Sequence, residues 1–397
     1  MKFIKLFIIC SFFSIVSCSK KAPEKIGVIP QPNSIEYKEG IFTITDKTVI
    51  VTDGSEEAQR IANKLNSFFN ENFRINLKTA SKNQNDAIRL TTSNQGSHKE
   101  GYQFQVSKKG VSISGKSYQG IFYGVQTLKQ LLTPKTIISQ PVLNYVNITD
   151  APEFVWRGMM LDVSRHVFPK DSVKKVIDIL AMHKMNKFHW HLVDGIGWRI
   201  QIDKYPELTK KGAFRKVKEN KKPWENFEAT YKNSEGEVYG GFYTKEDIKE
   251  IVKYAADRNI SIMPEIDVPG HSMAMLAAYP ELSIDGGKRY VNPGTEFSEW
   301  YADGSFKMLI DNTLDPSNEK VYETLDKVFT EVAMLFPDEY IHVGGDECYH
   351  GYWEADPNNQ KLMKKKGLKS VHELQGYFMS RVGDIVRSKG KKVMGWD

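Results

Sequence analysis

Cysteine is nearly absent from this chain of 397 residues, which carries only Cys10, Cys18 and Cys348. Cys10 lies inside an N-terminal apolar run and Cys18 just after it. One thiol is then left for a folded body, and no disulfide framework can form within a mature chain. A charge excess is missing too: the formal net charge is +6. No dense Lys/Arg run with interleaved aromatics occurs, so a nucleic-acid partner is not indicated, and Lys364-Lys365-Lys366 reads as a solvated helix face. Long hydrophobic runs are lacking as well. The longest, Phe3 to Val16, is too short for a comfortable membrane span. There is no glycine-rich phosphate loop after the first strand of the α/β region, which argues against an open dinucleotide-binding sheet.

The N-terminal run has the layout of a secretory signal: Lys2 and Lys5, then an apolar core, then small residues. Its end, Ile15-Val16-Ser17-Cys18-Ser19, resembles a bacterial lipobox, in which cleavage precedes a cysteine that carries lipid. The expectation is a signal peptide over residues 1–17, a lipidated tether over 18–25 and a mature charge of +4 once two lysines leave. The protein would be exported across the inner membrane and held in the cell envelope, touching membrane only through Cys18. Nothing in the sequence indicates an oligomeric state.

Residues 26–150 read as a small α+β domain. Tyr102–Val106 and Val111–Ser114 alternate apolar and polar around the turn Lys108-Lys109-Gly110, which predicts a hairpin. Ile121, Phe122, Val125, Leu128 and Leu132 recur at helical spacing. From residue 151 to 397 the rhythm becomes strand, helix, strand, helix. Strands are predicted at 158–163, 187–193, 260–266, 340–345 and 391–397. Asp171 is placed as one helix cap, and Thr244 with Asp247 as a capping box of the next. Every predicted strand ends in a polar or reactive residue: Asp162, Asp194, Glu265 with Asp267, Asp346-Glu347, and Trp396-Asp397. A (β/α)8 barrel carries its chemistry on that edge. Five β/α units are countable, so the expectation is a partial barrel whose last three units lie outside this sequence.

The chemistry concentrates in Tyr340-Ile-His-Val-Gly-Gly-Asp-Glu347. Neighbouring strand residues face opposite ways, so Asp346 and Glu347 can face one ligand only where the strand breaks. The two glycines permit that break and a close approach by a ligand. Cys348 has no catalytic thiol pattern around it and reads as a small residue lining the site.

This stretch resembles glycoside hydrolase family 20, the β-N-acetylhexosaminidases. So do Trp156-Arg-Gly-Met-Met-Leu-Asp-Val-Ser-Arg165-His166, Met185-Asn-Lys-Phe-His-Trp-His191-Leu-Val-Asp194, Gly197-Trp-Arg-Ile and Pro264-Glu-Ile-Asp-Val-Pro-Gly-His271. The likeness runs from about residue 26 to 397. It implies an exo-acting glycosidase that removes terminal N-acetylglucosamine or N-acetylgalactosamine from glycans with retention, without cofactor or metal. Family 20 is a substrate-assisted exception among two-carboxylate glycosidases. The substrate's acetamido oxygen attacks the anomeric carbon and gives an oxazolinium intermediate. By resemblance Glu347 is the general acid and later the base, and Asp346 orients the acetamido group. Arg165 binds the 3- and 4-hydroxyls, Asp194 and His271 relay behind Glu347, and Trp396 lines the acetamido pocket. Gly195-Ile196 departs from the family, which often has an acid and a glutamine there.

Two other readings compete. His189-Trp-His191 places two imidazoles on one strand face, and with His271 and Asp346 these could form the site of a metal-dependent hydrolase. A glycan-binding lipoprotein without catalysis would keep the pocket alone. A family 18 chitinase is disfavoured, because its Asp-x-Asp-x-Glu motif is absent.

Overall fold

The computed structural model describes residues 27–82, 84–93, 98–132, 140–217, 231–233, 236–292, 298–309 and 312–397. The signal, the tether and Cys18 lie outside these. The chain divides into two compact units, with the boundary between Ala151 and Pro152.

The first unit contains β1 (Ser34–Thr43), β2 (Val49–Val51), α1 (Glu56–Phe73), β3 (Lys78–Ala80), β4 (Ala87–Thr92), β5 (Tyr102–Ser107), β6 (Gly110–Gly115), α2 (Tyr118–Leu131) and β7 (Val142–Asp150). They form one mixed sheet in the order β1-β7-β5-β6-β4-β2-β3. The hairpin is β5–β6, with Phe104 opposite Ile113, both buried. Helix α1 starts where the Ser55 hydroxyl accepts from the Ala58 amide, and it buries Ala58, Ile61, Leu65 and Phe69. A serine cap of this kind is worth about 1 kcal/mol.

The second unit places β8 (Gly158–Asp162), β9 (Lys187–Asp194), β10 (Ser261–Ile266), β11 (Tyr340–His342) and β12 (Lys392–Met394) in one sheet, each parallel to the next. The crossovers carry α3 (Lys170–Met182), α4 (Lys245–Ala256), α5 (Glu319–Leu335) and α6 (Val371–Ser388). Strand order follows chain order without reversal, the winding of a barrel; a doubly wound sheet would reverse at a switch point. Thr244 and Asp247 form the capping box of α4. Asp171 does not cap α3. That helix begins at Lys170 after Pro169 with no side-chain cap, and Asp171 sits in the first turn, where its charge still favours the helix dipole. Strand β11 ends at His342, three residues sooner than expected, because Gly344 and Gly345 take φ values of 69° and 104°. None of the described helices is long and apolar enough to cross a membrane.

Strand β9 shows how the fold aims its chemistry. Phe188, Trp190 and Leu192 are fully buried, and Trp190 packs on Tyr243 and Phe336. Alternation turns His189 and His191 to the opposite face. Register then sets a level across the sheet: Asp162 pairs with His191, His191 with Glu265, Glu265 with His342, and His342 with Met394. Barrels stack inward side chains in such layers. This layer is polar.

Candidate active site

Glu265 is the centre of that layer. Its Oε2 lies 2.6 Å from His189 Nε2 and 2.7 Å from His191 Nδ1. Its Oε1 lies 3.4 Å from His342 Nδ1 and accepts a 2.9 Å bond from the Trp396 indole. Burial opposes the charge on Glu265, but the three imidazoles outweigh it and hold the carboxyl far below the usual range. Burial holds His189 below its ordinary value. His191 is buried too, yet Asp194 and Glu265 beside it push it up to about 10. Trp396 leans over this group, its ring centroid 4.6 Å from that of His342, and it remains 42% exposed.

The second layer up is the Asp194 group. Asp194 is 4% exposed. Its Oδ2 meets Arg165 Nη2 at 2.6 Å, His191 Nε2 at 3.3 Å and His271 Nδ1 at 3.3 Å. Its Oδ1 accepts from the Gly195 amide. Burial opposes ionisation of Asp194, but the surrounding imidazoles and the guanidinium depress it well below the ordinary carboxyl value. His271 is likewise opposed by burial and supported by Asp194, which pushes it up to about 9. The other edge of the His271 ring faces the acid pair: Nε2 is 3.4 Å from Glu347 Oε2 and 3.7 Å from Asp346 Oδ2. One imidazolium thus stands between a buried carboxylate and two adjacent acids.

The loop 343–348 aims those acids differently. Glu347 is 67% exposed and Asp346 31%, while Asp346 Oδ1 is buried with no hydrogen-bond partner. An acceptor left in that state costs free energy until a donor arrives. Glu347 and His271 both hold positive φ, 46° and 49°, conformations rare outside glycine and often stored at functional sites. Gly344 is required for a second reason: a Cβ there would lie 1.7 Å from Asp267 Oδ1. Asp267 Oδ1 also accepts from the Gly345 amide at 3.3 Å. Burial, helped by Asp346, Asp194 and Glu265 and opposed by His271, raises Asp267 well above its usual value.

Arg165 reaches the site from the loop after β8, bonded to Asp162 Oδ2 at 2.9 Å as well as to Asp194. Arg199 fixes that loop from beneath. It is fully buried and donates to the carbonyls of Val163, Ser164, Ala213 and Gly241.

All six residues singled out in the sequence therefore lie on the C-terminal edge of the parallel strands, as do Glu265 and Asp267. These last two were visible as strand-end acids but carried no assigned role. His342 went unread; the pairing of β10 with β11 is what sets it opposite Glu265. Cys348 packs against the apolar cluster of Trp353, Met363, Val371 and Leu374.

Metal-ligating atoms do cluster: His189–Glu265–His342, His191–Glu265–Asp267, Asp194–Asp267–His271 and His271–Asp346–Glu347. The metal reading paired His189 and His191 with His271 and Asp346. Instead, both histidines converge on Glu265. These nitrogens stand 2.6 and 2.7 Å from its carboxylate. Ligand atoms each about 2.0–2.1 Å from a tetrahedral zinc stand farther apart than that.

Residues 154–397 match glycosyl hydrolase family 20, catalytic domain, and residues 25–151 match glycosyl hydrolase family 20, domain 2. The chain belongs to glycosyl hydrolase family 20. Its catalytic unit has the (β/α)8-barrel fold, here represented by five consecutive β/α units. The beta-hexosaminidase of Porphyromonas gingivalis is 37% identical over 98% of this chain and 48% of its own length. The beta-hexosaminidase of Vibrio furnissii is 34% identical over 94% of this chain and 57% of its own. Among solved structures, the family 20 β-N-acetylhexosaminidase of Streptomyces coelicolor superposes with a TM-score of 0.76 at 35% identity, over 93% of this chain and 66% of that one. An exo β-N-acetylglucosaminidase of Vibrio harveyi, in complex with N-acetylglucosamine, gives 0.76 at 31% identity, over 95% and 56%. The chain spans about half the length of the curated relatives it matches.

Proposed function

We propose that this family 20 protein is an exo-acting β-N-acetylhexosaminidase working by substrate assistance with retention. The observation that carries the reading is the single His271 imidazolium, held by Asp194 and facing both Asp346 and Glu347. Glu347, exposed at the mouth, gives its proton to the glycosidic oxygen as the substrate's acetamido oxygen attacks the anomeric carbon. Asp346 receives the acetamido N–H on its buried, unpartnered Oδ1 and stabilises the positive charge that grows on that nitrogen. Water then opens the oxazolinium, with Glu347 accepting its proton. Because the substrate supplies the nucleophile, two adjacent acids suffice where other retaining enzymes need carboxylates about 5 Å apart across the bond. Arg165, oriented by Asp162 and Asp194, presents its remaining donors to the outer hydroxyls of the terminal sugar. Trp396, held by Glu265, forms an apolar wall for the acetamido methyl.

The test is hydrolysis of a chromogenic β-N-acetylglucosaminide, with Glu347→Gln as control, beside binding of a thiazoline analogue of the oxazolinium. Turnover that disappears in the variant supports the reading. A folded protein that neither turns over the substrate nor binds the analogue overturns it. Binding without turnover favours a glycan-binding role.

We also propose that Cys18 is acylated and holds the protein in the cell envelope, on the strength of residues 1–19. Labelled fatty acid should enter the protein and be lost in Cys18→Ser. Equal labelling in the variant would refute the anchor.

A further inference from the structure

A cavity of about 820 Å³ lies in the second unit between the loops that follow β9 and β10. The first of these loops begins directly after Asp194 and the second carries His271. Among the described residues its wall holds six cationic side chains, Lys210, Lys211, Arg215, Lys216, Lys288 and Arg289, and no acid. Glu207 serves both Lys210 and Lys211, and Asp285 serves Arg289. Lys216 and Lys288 are exposed and make no ion pair among the described residues. The neighbouring sequence does not redress the balance: residues 218–230 carry three lysines and three glutamates, and residues 293–297 one glutamate. Phe214 and Tyr290 add aromatic surface to the same wall, and flat apolar rings suit the faces of sugars.

The cavity is tied to the catalytic edge through Arg215. Its buried guanidinium donates to the carbonyls of Arg165 at 3.1 Å and Ile196 at 3.4 Å, and it stacks over Tyr239. Two requirements meet in this wall: net positive potential in a concave, partly apolar space, and covalent continuity with the loops around the terminal-sugar site. Concave walls focus such potential and raise the local concentration of anions. The volume is in the range of small-molecule sites, about 300–1,000 Å³, so it suits one or two sugar rings better than an extended polymer.

We propose that this cavity is a subsite for an acidic carbohydrate, binding the sulfate or carboxylate of sugar residues beyond the terminal N-acetylhexosamine. The inference rests on the hexosaminidase reading and names the substrate class it favours: glycans in which N-acetylhexosamine alternates with, or carries, anionic groups. Lys216 and Lys288 supply the charge at the rim. The binding is therefore sensitive to ionic strength, because charges near water are screened over about 8 Å at 0.15 M salt.

The experiment measures binding to the Glu347→Gln protein, so that it does not depend on turnover. Calorimetry compares three disaccharides: neutral N,N′-diacetylchitobiose, terminal N-acetylgalactosamine linked to glucuronate, and the same disaccharide sulfated on the glucuronate. The acidic sugars should bind on the order of tenfold tighter than chitobiose at low salt, and Lys216→Glu/Lys288→Glu should erase that advantage while leaving chitobiose unchanged. A larger gain for the sulfated form assigns the site to sulfate, and equal gains assign it to the carboxylate. Preserved acidic binding in the double variant overturns the proposal. So does inorganic sulfate or a short RNA binding as tightly as the acidic disaccharides. Chitobiose binding without any acidic advantage refutes the subsite alone. Failure of all three sugars to bind a folded protein refutes the hexosaminidase reading beneath it.

Discussion

Asp194→Asn removes one negative charge from the point where Arg165, His191 and His271 converge, and its consequences can be worked out group by group. In the native protein His271 is raised from 6.5 to about 9 against the effect of burial, with Asp194 first among the groups that raise it. At pH 7 its imidazole is about 99% protonated. Without the Asp194 charge, burial and the Arg165 guanidinium pull it to 6.5 or below. The protonated fraction then falls to roughly a quarter or less. The difference, some 2.5 units, corresponds to about 3 kcal/mol of support for the charged ring.

The pH dependence has a definite sign. A raised histidine contributes stability that is complete below pH 6.5 and is lost as pH climbs through about 9. Asp194, being depressed, contributes stability present above its ordinary value near 3.8 and lost as pH falls below it. The native protein should therefore exceed the variant most between pH 4 and 6.5, by about 3–5 kcal/mol, the cost of breaking a buried pair. The gap should narrow as pH climbs through about 9, where His271 loses its proton. Denaturant unfolding across pH 4–10 reads the first quantity, and the His271 Cε1–Hε1 resonance reads the second. If His271 still titrates near 9 in Asp194→Asn, then Asp267, Asp346 and Glu347 hold its proton and the relay assignment is wrong. A stability gap that does not change with pH would equally refute the reasoning.

Asp346→Asn should lower kcat on N-acetylated substrates by about 10²–10³, the usual loss when one charge-stabilising group is removed, with the melting temperature retained; an equal loss of folded protein would make Asp346 structural. Gly344→Ala meets both a φ of 69° and a Cβ 1.7 Å from Asp267 Oδ1, and the strain should cost more than about 1 kcal/mol and lower activity along with it; unchanged unfolding and kinetics would show that the loop has another packing. Chelation with EDTA should leave hydrolysis unaffected, since His189 and His191 stand 2.6 and 2.7 Å from the Glu265 carboxylate, closer than two ligands of one tetrahedral zinc; loss of activity restored by added zinc would revive the metal reading.

What the sequence made legible, and what it withheld, follows from the range over which each interaction acts. Strand and helix periods are local, so β9, β10 and the capping box at Thr244 could be read directly from spacing. The acids at strand ends were equally plain, because barrel geometry puts every such end on one edge. Register is not local. Nothing along the chain says that Glu265 stands opposite both His191 and His342, so the most connected carboxylate of the site carried no role until the strands were paired. The same holds for charge state. Asp194 and Asp267 are chemically alike, both buried and only a few ångströms apart. One is met by two imidazoles and a guanidinium and is driven to ionise, whereas at the other burial and three neighbouring carboxylates outweigh the opposing His271 and drive it to hold its proton. Residue type fixed which groups could do proton chemistry. Only their partners, brought together from strands some seventy residues apart, decided which of them carries charge.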